Sequence, residues 1–417
     1  MENKNCRGVI NYFVQYTSIF TLGPWRNSIQ LFTEEGFNVN VYQFADERIK
    51  KYRTDLEDKY NLIEIPYPKI IKYLLYILKF FFRLLKKLGL NRLSSFGDGF
   101  DVIFKSYYFV LACILKNKSG ENEVFIGGDP AGLIAANYLA KKKKGTLIYW
   151  SLELYIEKDL NNFGLKHIKK REVECNQNAI CTVDFGELRC KILQKENHLS
   201  SKTMISIPNF QIGKGKVLRN YYFNNKFKIP RGKKIILHAG GLYSPSLNIK
   251  NLWDSIHNWP DDYILVLHTH QKNYPNSGFS IPKKHLNSKI FLNNDFVPYD
   301  ELDIIYSSCD IGIMIHGSSD ANCKNNLYYS DLSVGKMFHH LKVGVPLIVR
   351  NLPGYKKLIE ENQVGLCMDK PSDILPSIIT ILNNYESYSL NAVKLHDKLR
   401  FELHHDKLFQ KINEIVS

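Results

Sequence analysis

The sequence predicts an α/β protein with two Rossmann-like domains, each built around a parallel sheet. Its 417 residues are more than one small hydrophobic core accommodates. Short apolar runs alternate with helical patterns in both halves of the chain, which is typical of parallel β-α-β units. The run Ser333–Gly354 adds a helix, a Gly-Val-Pro turn, a buried strand and a Pro-Gly turn, which is the order of elements in such a unit.

The first predicted domain covers residues 1–205. Hydrophobic runs bounded by turn residues predict its strands, and apolar residues at helical spacing predict its helices. The strands are predicted at 9–14, 39–44, 124–127 and 146–150, and the helices at 25–35 and 131–142. The alternation of the two types indicates a parallel sheet with helical connections.

A polar, basic and turn-rich stretch, residues 206–232, interrupts this alternation and is predicted to be an interdomain linker. The second domain is predicted at 233–390, and a C-terminal helix at 391–417. The strands of this domain are predicted at 234–238, 263–268, 289–292, 311–315 and 347–349, and its helices at 247–258 and 299–308. Because strands and helices alternate again, a second parallel sheet is expected.

The chain carries a formal net charge of +15, which requires a partner of opposite sign. Nucleic acid, an anionic membrane surface and a phosphorylated substrate all qualify. The sequence has no helix-turn-helix, zinc-finger or aromatic RNA-binding pattern, so nucleic acid is not expected as a partner. The eight cysteines contain no C-x-x-C pair, and no apolar leader follows the polar start of the chain, which predicts reduced thiols and a cytoplasmic protein.

Residues 68–92 predict a basic amphipathic helix. At about 100° per residue, Lys72, Lys79, Arg83 and Lys86 lie within a narrow arc, and apolar side chains fill most of the remaining surface. A membrane-spanning helix is disfavoured, because two cations in mid-bilayer cost roughly 2.5–3.5 kcal/mol each. We expect the helix to lie in the membrane interface with its lysines near anionic lipid phosphates. The alternative is a helix packed in the core with a solvated basic edge.

The run at 333–354 resembles the donor-sugar half of the GT-B glycosyltransferases, and of glycosyltransferase family 4 in particular. The family pattern is a Lys-x-Phe-Glu-Tyr helix followed by Gly-x-Pro and a hydrophobic strand. The matching residues are Lys336, Phe338, Gly344, Pro346 and Gly354. The resemblance implies a GT-B architecture with two Rossmann-like domains facing a cleft, a UDP- or GDP-sugar as donor substrate, no cofactor and no metal.

Gly240 and Gly241 follow the first predicted strand of the second domain. Glycines allow the backbone to approach a ligand closely, and the helix after the turn offers N–H groups to phosphate, although a plain tight turn uses the same residues. In the family that the chain resembles, an arginine and a lysine of this loop neutralise the donor diphosphate, and Gly241 stands in the arginine's place. Lys336 is therefore the predicted partner of the donor phosphates, because a departing diphosphate requires a positive charge.

Two glutamates around this helix carry further roles in the family, and they are spaced as Asp331 and His339 are here. The first lies near the reacting sugar and the second holds the ribose hydroxyls. Asp331 keeps a carboxylate and is a predicted catalytic residue, whereas His339 can hydrogen-bond a ribose hydroxyl without a fixed negative charge. His316, at the start of the loop that leads to Asp331, completes the predicted donor-binding residues.

Glu153 lies just past the strand at 146–150, where ligands approach parallel sheets, and it matches the last residue of a Tyr-Asp-x-His-Glu pattern in related GT-B enzymes. It is a predicted catalytic residue, as a general base or an orienting group for an acceptor hydroxyl, with a helix cap or a surface ion pair as the alternative. Gly23 and Arg26, after the first strand, are predicted on the acceptor side. Asp129 is predicted to cap the helix that follows it.

Together these patterns predict a retaining hexosyltransferase that moves a sugar from a nucleotide-sugar to a hydroxyl of a lipid-linked saccharide in bacterial surface polysaccharide biosynthesis. The basic helix and the family place the enzyme at the inner face of the plasma membrane as a peripheral protein. Two alternatives stay open: a sugar-nucleotide epimerase of related fold, and a catalytically silent nucleotide-binding or scaffold protein, which the missing arginine and His339 suggest. His268 and His270 have no third ligand at a plausible spacing, so no metal site is predicted.

Overall fold

The structure is a computed structural model of the chain. It describes residues 7–15, 23–45, 58–68, 91–200, 203–242, 249–269, 286–314 and 328–416, with scattered positions between 73 and 87. The chain divides into two compact units. Of the described residues, the first contains those up to Ile207 and those from His404 onward, and the second contains those between Pro208 and Leu403.

The first unit contains a sheet whose strands are all parallel. In chain order the strands are β1 Val9–Val14, β2 Asn38–Phe44, β3 Asn61–Ile65, β4 Val124–Gly128, β5 Thr146–Trp150, β6 Cys181–Asp184 and β7 Thr203–Ser206. Their order in the sheet is β3-β2-β1-β4-β5-β6-β7, so the direction of winding reverses between β1 and β4. Nearly all residues of β1, β4 and β5 are buried, as expected of strands covered by helices on both faces.

The helices of the first unit connect these strands. They are α1 Gly23–Glu34, α2 Asn91–Lys116, α3 Asp129–Lys142, α4 Phe163–Asn176 and α5 Glu187–Glu196, and a 3-10 turn lies at Glu157–Asp159. Residues 73, 76–78, 80–82, 84 and 87 are also helical. No helix in the part of the chain that the structure describes has the length and hydropathy needed to cross a bilayer.

The second unit contains a parallel sheet of its own. The strands are β8 Lys234–Ala239, β9 Tyr263–His268, β10 Ile290–Asn293, β11 Ile311–Met314, β12 Leu347–Arg350 and β13 Gly365–Met368. Their order is β10-β9-β8-β11-β12-β13, and the winding reverses between β8 and β11. In open parallel sheets, ligands bind beyond the carboxyl ends of the strands at such a reversal.

The helices of the second unit are α6 Tyr222–Phe227, α7 Ile249–Ile256, α8 Leu302–Tyr306, α9 Gly335–Lys342, α10 Ile374–Asn383 and α11 Tyr385–Leu399. Short turns lie at Tyr299–Glu301 and Pro371–Asp373 (3-10) and at Lys356–Glu360 (π). The last helix, α12 Phe401–Val416, begins in the second unit and ends in the first. In the first unit its His405 lies 2.8 Å from the hydroxyl of Ser28, measured from Nε2 to Oγ.

The predicted architecture of two parallel-sheet domains is confirmed. The predicted strands 9–14, 146–150 and 263–268 have the bounds that were predicted. Two ends of predicted elements lie outside the described residues: Ile315 of the strand predicted at 311–315, and the first two residues of the helix predicted at 247–258. The helix predicted at 299–308 is a 3-10 turn followed by the short α8.

Residues 208–232 are not a free linker, and that prediction is wrong. They belong to the second unit, where Phe210, Phe223 and Ile229 are buried in its core. The ring of Phe210 stacks on Phe338 of α9 with 3.8 Å between the ring centroids. Arg219 donates hydrogen bonds to the carbonyl of Cys309 (2.9 Å) and to Asp310 (3.0 Å). The polar residues of this segment therefore include side chains that hydrogen-bond to the second unit.

The single helix predicted at 391–417 is also wrong. Arg400 adopts an extended conformation, with φ of −56° and ψ of 147°, and separates α11 from α12. The chain up to Leu403 belongs to the second unit, and the remainder belongs to the first. In the first unit the ring of Phe32 meets the ring of His405 at a centroid distance of 4.7 Å, so the end of α12 contributes to the packing of that unit.

We expect Phe210→Ala to destabilise the second unit by about 3–5 kcal/mol, because it empties a fully buried stacked position. Val217→Ala in the same segment, where the side chain is 48% exposed, should cost less than about 0.5 kcal/mol. Urea denaturation followed by tryptophan fluorescence measures both. Equal, small effects of the two substitutions would show that the segment is not part of the core.

Candidate functional site

Gly240 and Lys336 meet at the carboxyl end of β8, where the second sheet reverses its winding. Gly240 has a φ of +119°, which favours glycine, and its N–H donates to the carbonyl of His268 at 2.9 Å. A Cβ atom added to Gly240 would lie 3.2 Å from the Nζ atom of Lys336. The ammonium group of Lys336 therefore lies against the backbone of the turn, and the missing side chain of Gly240 leaves room for it.

The ammonium of Lys336 has no anionic partner in the part of the chain that the structure describes. It makes no hydrogen bond and no ion pair with any residue of the described ranges. Removal from water lowers the pKa of this lysine from 10.5 to about 8. A cation that is partly desolvated and unpaired is costly to keep charged, and a bound anion removes that cost. The position is therefore suited to bind a negatively charged group.

Two buried histidines surround this lysine. His238 on β8 lies 3.1 Å from the carbonyl of Ile313 through Nδ1, and His340 on α9 lies 2.9 Å from the carbonyl of Lys336 through Nδ1. Burial, together with the smaller effect of the positive charge of Lys336, lowers the pKa of His238 to about 3 and that of His340 to about 4. Both rings are neutral at pH 7, so they neither compensate nor add to the charge of Lys336.

The segment before α9 is held by two side chains from the stretch predicted as a linker. The Nδ2 group of Asn209 donates to the carbonyl of Ser333 at 2.7 Å, and the Nε2 group of Gln211 donates to that of Gly335 at 3.2 Å. The backbone N–H of Asn209 donates to Leu332 at 2.9 Å. These bonds fix the start of α9, and with it the position from which Lys336 extends.

Asp331 and His339 lie in different surroundings from Lys336. A Cβ atom on Gly354 would lie 2.7 Å from Oδ2 of Asp331, so this partly exposed carboxylate rests on the Pro-Gly turn after β12. His339 is buried, stacks on the ring of Tyr306 at 4.8 Å and meets that of Tyr299 edge-on at 5.3 Å. Burial lowers the pKa of His339 well below its usual value, so the ring is neutral. Its contact with a ribose hydroxyl stays a prediction.

Asp129 and Glu153 come together at the carboxyl edge of the first sheet. Asp129 follows β4 with a φ of +53°, and its Oδ1 accepts hydrogen bonds from the backbone N–H groups of Leu152 (2.9 Å) and Glu153 (3.2 Å). The prediction that Asp129 caps the following helix is wrong, because no side chain caps α3. The carboxylate instead fixes the turn that carries the exposed Glu153.

Burial raises the pKa of Asp129 to about 7, and the nearby negative charge of Glu153 adds to the rise. A carboxyl group that titrates near neutral pH beside a second carboxylate is an arrangement that general acid–base chemistry uses. The position lies beside the reversal between β1 and β4, where a ligand of this sheet is expected. Asp129 and Glu153 thus lie together at this edge of the sheet, and the catalytic role of Glu153 stays a prediction.

The other predicted site residues lie on α1, in the turn after β8, or outside the described residues. Gly23 begins α1, and Arg26 of the same helix is buried with 4% of its surface exposed. Gly241 follows Gly240 in the turn after β8, and His316 lies outside the described residues, as does His270. The partner predicted for His270, His268, lies 2.8 Å from Nδ2 of Asn293 through its Nδ1 atom. Among the described residues, no three His, Cys, Asp or Glu side chains form a group that could hold a metal ion.

Sequence reasoning missed four residues of the site: Asn209, Gln211, His238 and His340. The first two alternate with apolar residues in Ile207-Pro208-Asn209-Phe210-Gln211, and this alternation was a signal of an ordered segment. The two histidines lie on a predicted strand and a predicted helix. The sequence pattern around a histidine in such an element is the same whether its ring is buried and neutral or binds a ligand.

The fold is that of the GT-B glycosyltransferases. The chain is similar to sucrose-phosphate synthase from Thermosynechococcus elongatus, with a TM-score of 0.64 and 11% identity over 98% of this chain and 99% of that one. Anabaena HepE in complex with UDP-glucose gives a TM-score of 0.63 and 10% identity over 97% and 99% of the two chains. A glycosyltransferase from Rickettsia africae gives 0.60 and 13% over 99% of each. No protein-family pattern and no curated protein sequence matches the chain.

We expect Asp129→Asn to change how stability depends on pH. The folded protein holds a proton on Asp129 up to a pH of about 7, whereas a carboxyl of the unfolded chain loses it near its usual pKa of 3.8. The wild-type protein therefore loses stability as the pH rises from about 4 to 7, and the loss is complete above 7. Asparagine keeps the accepting oxygen, tolerates the positive φ and does not titrate.

The stability of Asp129→Asn relative to wild type should thus increase between pH 5 and pH 8, with each unit of pKa shift worth about 1.4 kcal/mol. Urea denaturation at several pH values measures the difference. Asp98→Asn, at an exposed position of α2, serves as the matched control and should follow the wild-type curve. Parallel curves for Asp129→Asn and wild type would contradict the raised pKa.

Proposed function

We propose that the protein is a glycosyltransferase that moves a sugar from a UDP- or GDP-sugar to a hydroxyl of a lipid-linked saccharide in bacterial surface polysaccharide biosynthesis. The GT-B fold supports the class of enzyme. The observation that carries the proposal is the ammonium of Lys336 beside the glycine turn after β8, where no described residue pairs with it. An activated sugar carries a diphosphate, which is the anion that such a site would bind.

The donor diphosphate would bind at Gly240, Gly241 and Lys336. The glycine turn lets phosphate oxygens approach the backbone, and the lysine supplies a positive charge in a partly desolvated position. Binding would raise the pKa of Lys336 toward its usual value, because the anion stabilises the charged form. HepE, which has a similar fold, binds UDP-glucose. This supports a UDP-sugar as the first donor to test.

The transfer breaks the bond between the anomeric carbon and the diphosphate oxygen, and the leaving diphosphate keeps the electron pair. The ammonium of Lys336 stabilises the negative charge that develops on it. The acceptor hydroxyl oxygen forms the new bond to the anomeric carbon, and its proton passes to a base, for which we propose Glu153. We assign Asp331 to the reacting sugar, because its partly exposed carboxylate precedes the lysine helix. Retention at the anomeric carbon is part of the proposal.

A membrane-held acceptor is supported by the segment that was predicted to lie in the membrane interface. Most of its described apolar side chains are exposed. The exposed fractions are 69% for Tyr73, 66% for Tyr76, 61% for Ile77, 38% for Leu78, 61% for Phe80, 54% for Phe81 and 47% for Leu84. This exposure favours the interfacial helix over a helix packed in the core. Together with Lys72, Lys79 and Lys86 in the same stretch of sequence, it supports the proposal of a peripheral protein at the inner face of the plasma membrane.

A catalytically silent protein is the second candidate, because Gly241 and His339 replace an arginine and a glutamate of the family pattern. The turnover of a UDP-sugar separates the two candidates. A glycosyltransferase releases UDP when a lipid extract supplies the acceptor, and a silent protein releases none. An epimerase changes the sugar without needing a lipid extract.

For the donor site, we expect UDP to raise the melting temperature of the wild-type protein and to have little effect on Lys336→Met. Loss of a charge-assisted contact costs roughly 1.5–3 kcal/mol of binding, which is a tenfold to hundredfold loss of affinity. Without UDP the variant should be at least as stable as wild type, because it no longer contains a partly desolvated unpaired cation. Thermal denaturation with and without UDP measures both effects.

The matched control is Lys357→Met, at an exposed position of the same unit. It should keep the full stabilisation by UDP. If UDP stabilises Lys336→Met as much as wild type, Lys336 does not contact the donor and the proposed site is wrong.

A further inference from the structure

An apolar stripe runs along the outer face of α2. The residues that form it are spaced by three or four positions, which places them on one side of the helix. The stripe consists of Phe100 (49% exposed), Phe104 (43%), Tyr107 (37%), Leu111 (55%) and Leu115 (75%). The opposite side of the helix, with Ser106, Phe109 and Cys113, is buried. The helix thus has one apolar side in the core and a second that faces away from it.

The stripe belongs to a helix that is fixed in place. A Cβ atom on Gly99 would lie 2.1 Å from the ring of Phe163, and one on Gly164 would lie 2.2 Å from the carbonyl oxygen of Gly99. These contacts pack α2 against α4 at backbone distance. The exposure of the stripe is therefore a property of a tightly packed helix, and an apolar face of this kind marks an interaction surface.

Cationic side chains flank the stripe. The hydroxyl of Tyr107 lies 2.9 Å from Nε2 of His167 on α4, and the exposed Lys166 and Lys170 lie on the same helix beside that histidine. At the other end, a Cβ atom on Gly97 would lie 2.5 Å from the ring of Phe82, so the helical residues around Phe82 adjoin the start of α2. The apolar surface thus continues from one helix to the next, with Lys166 and Lys170 beside it.

We propose that the stripe of α2 and the exposed apolar side chains described between Tyr73 and Leu84 together form one docking surface for an anionic lipid bilayer. Aromatic and leucine side chains enter the interface, and lysines at the flank meet the lipid phosphates. A second copy of the chain fits less well, because a self-contact would bring the same cations together. This inference rests on the membrane-held acceptor of the proposed function and adds a second helix to its membrane contact.

The test is sedimentation of the full-length protein with vesicles of phosphatidylglycerol, and with vesicles of phosphatidylcholine for comparison. We expect wild type to bind the anionic vesicles preferentially. Leu111→Glu/Leu115→Glu should reduce the partition coefficient roughly tenfold or more, because it places two carboxylates at the lipid surface. Phe80→Glu/Phe81→Glu should reduce it as well if the two helices form one surface.

The matched control is Ile379→Glu/Leu390→Glu, at positions of α10 and α11 that are 42% and 48% exposed, and it should bind vesicles like wild type. Stabilisation by UDP, measured on each variant, reports on the fold and on the donor site independently of lipid. Unchanged vesicle binding by Leu111→Glu/Leu115→Glu overturns the proposal. The proposal is also overturned if the wild-type protein does not bind vesicles. This includes the case in which wild type is a dimer and Leu111→Glu/Leu115→Glu is a monomer. Absence of UDP stabilisation in wild type would count against the donor site instead.

Discussion

The contact between the ammonium of Lys336 and the backbone of Gly240 is the interaction on which the functional account depends. A lysine close to a sheet edge normally pairs with a carboxylate or extends into water, whereas this one is partly removed from water and pairs with no carboxylate among the described residues. The neutral rings of His238 and His340 surround it without compensating its charge. The protein therefore holds a cation that could pair with a bound anion, at the edge of the sheet where parallel α/β folds bind ligands.

The fold explains why this cation lies where it does. The winding of the second sheet reverses between β8 and β11, which opens the position beyond β8. Gly240 turns the chain there without a side chain, and the bonds from Asn209 and Gln211 fix the start of α9. In the first unit, the reversal between β1 and β4 places the Asp129 carboxylate under the turn of Glu153. Each unit thus presents polar chemistry at its own reversal point.

The sequence was sufficient to predict both parallel sheets, because their central strands are apolar runs bounded by turns. It also predicted that Gly240 and Lys336 belong to one site, although they are far apart in the chain. It did not reveal the part played by 208–232, because a segment that packs through a few residues such as Phe210 has the composition of a loop. The role of Asp129 was mispredicted for a related reason. A carboxylate before a helix usually caps that helix, and the sequence does not show that the N–H groups of Leu152 and Glu153 lie within its reach.

The most direct test of the account is the pKa of the Lys336 ammonium, measured by heteronuclear NMR of its side-chain carbon and nitrogen atoms. Comparison with the spectrum of Lys336→Met assigns the signal. Without nucleotide, the account predicts titration near pH 8, below the usual value of 10.5. With saturating UDP, the pKa should rise to its usual value or above, because the diphosphate pairs with the charge. The same pKa with and without UDP would contradict the claim that this lysine binds the donor.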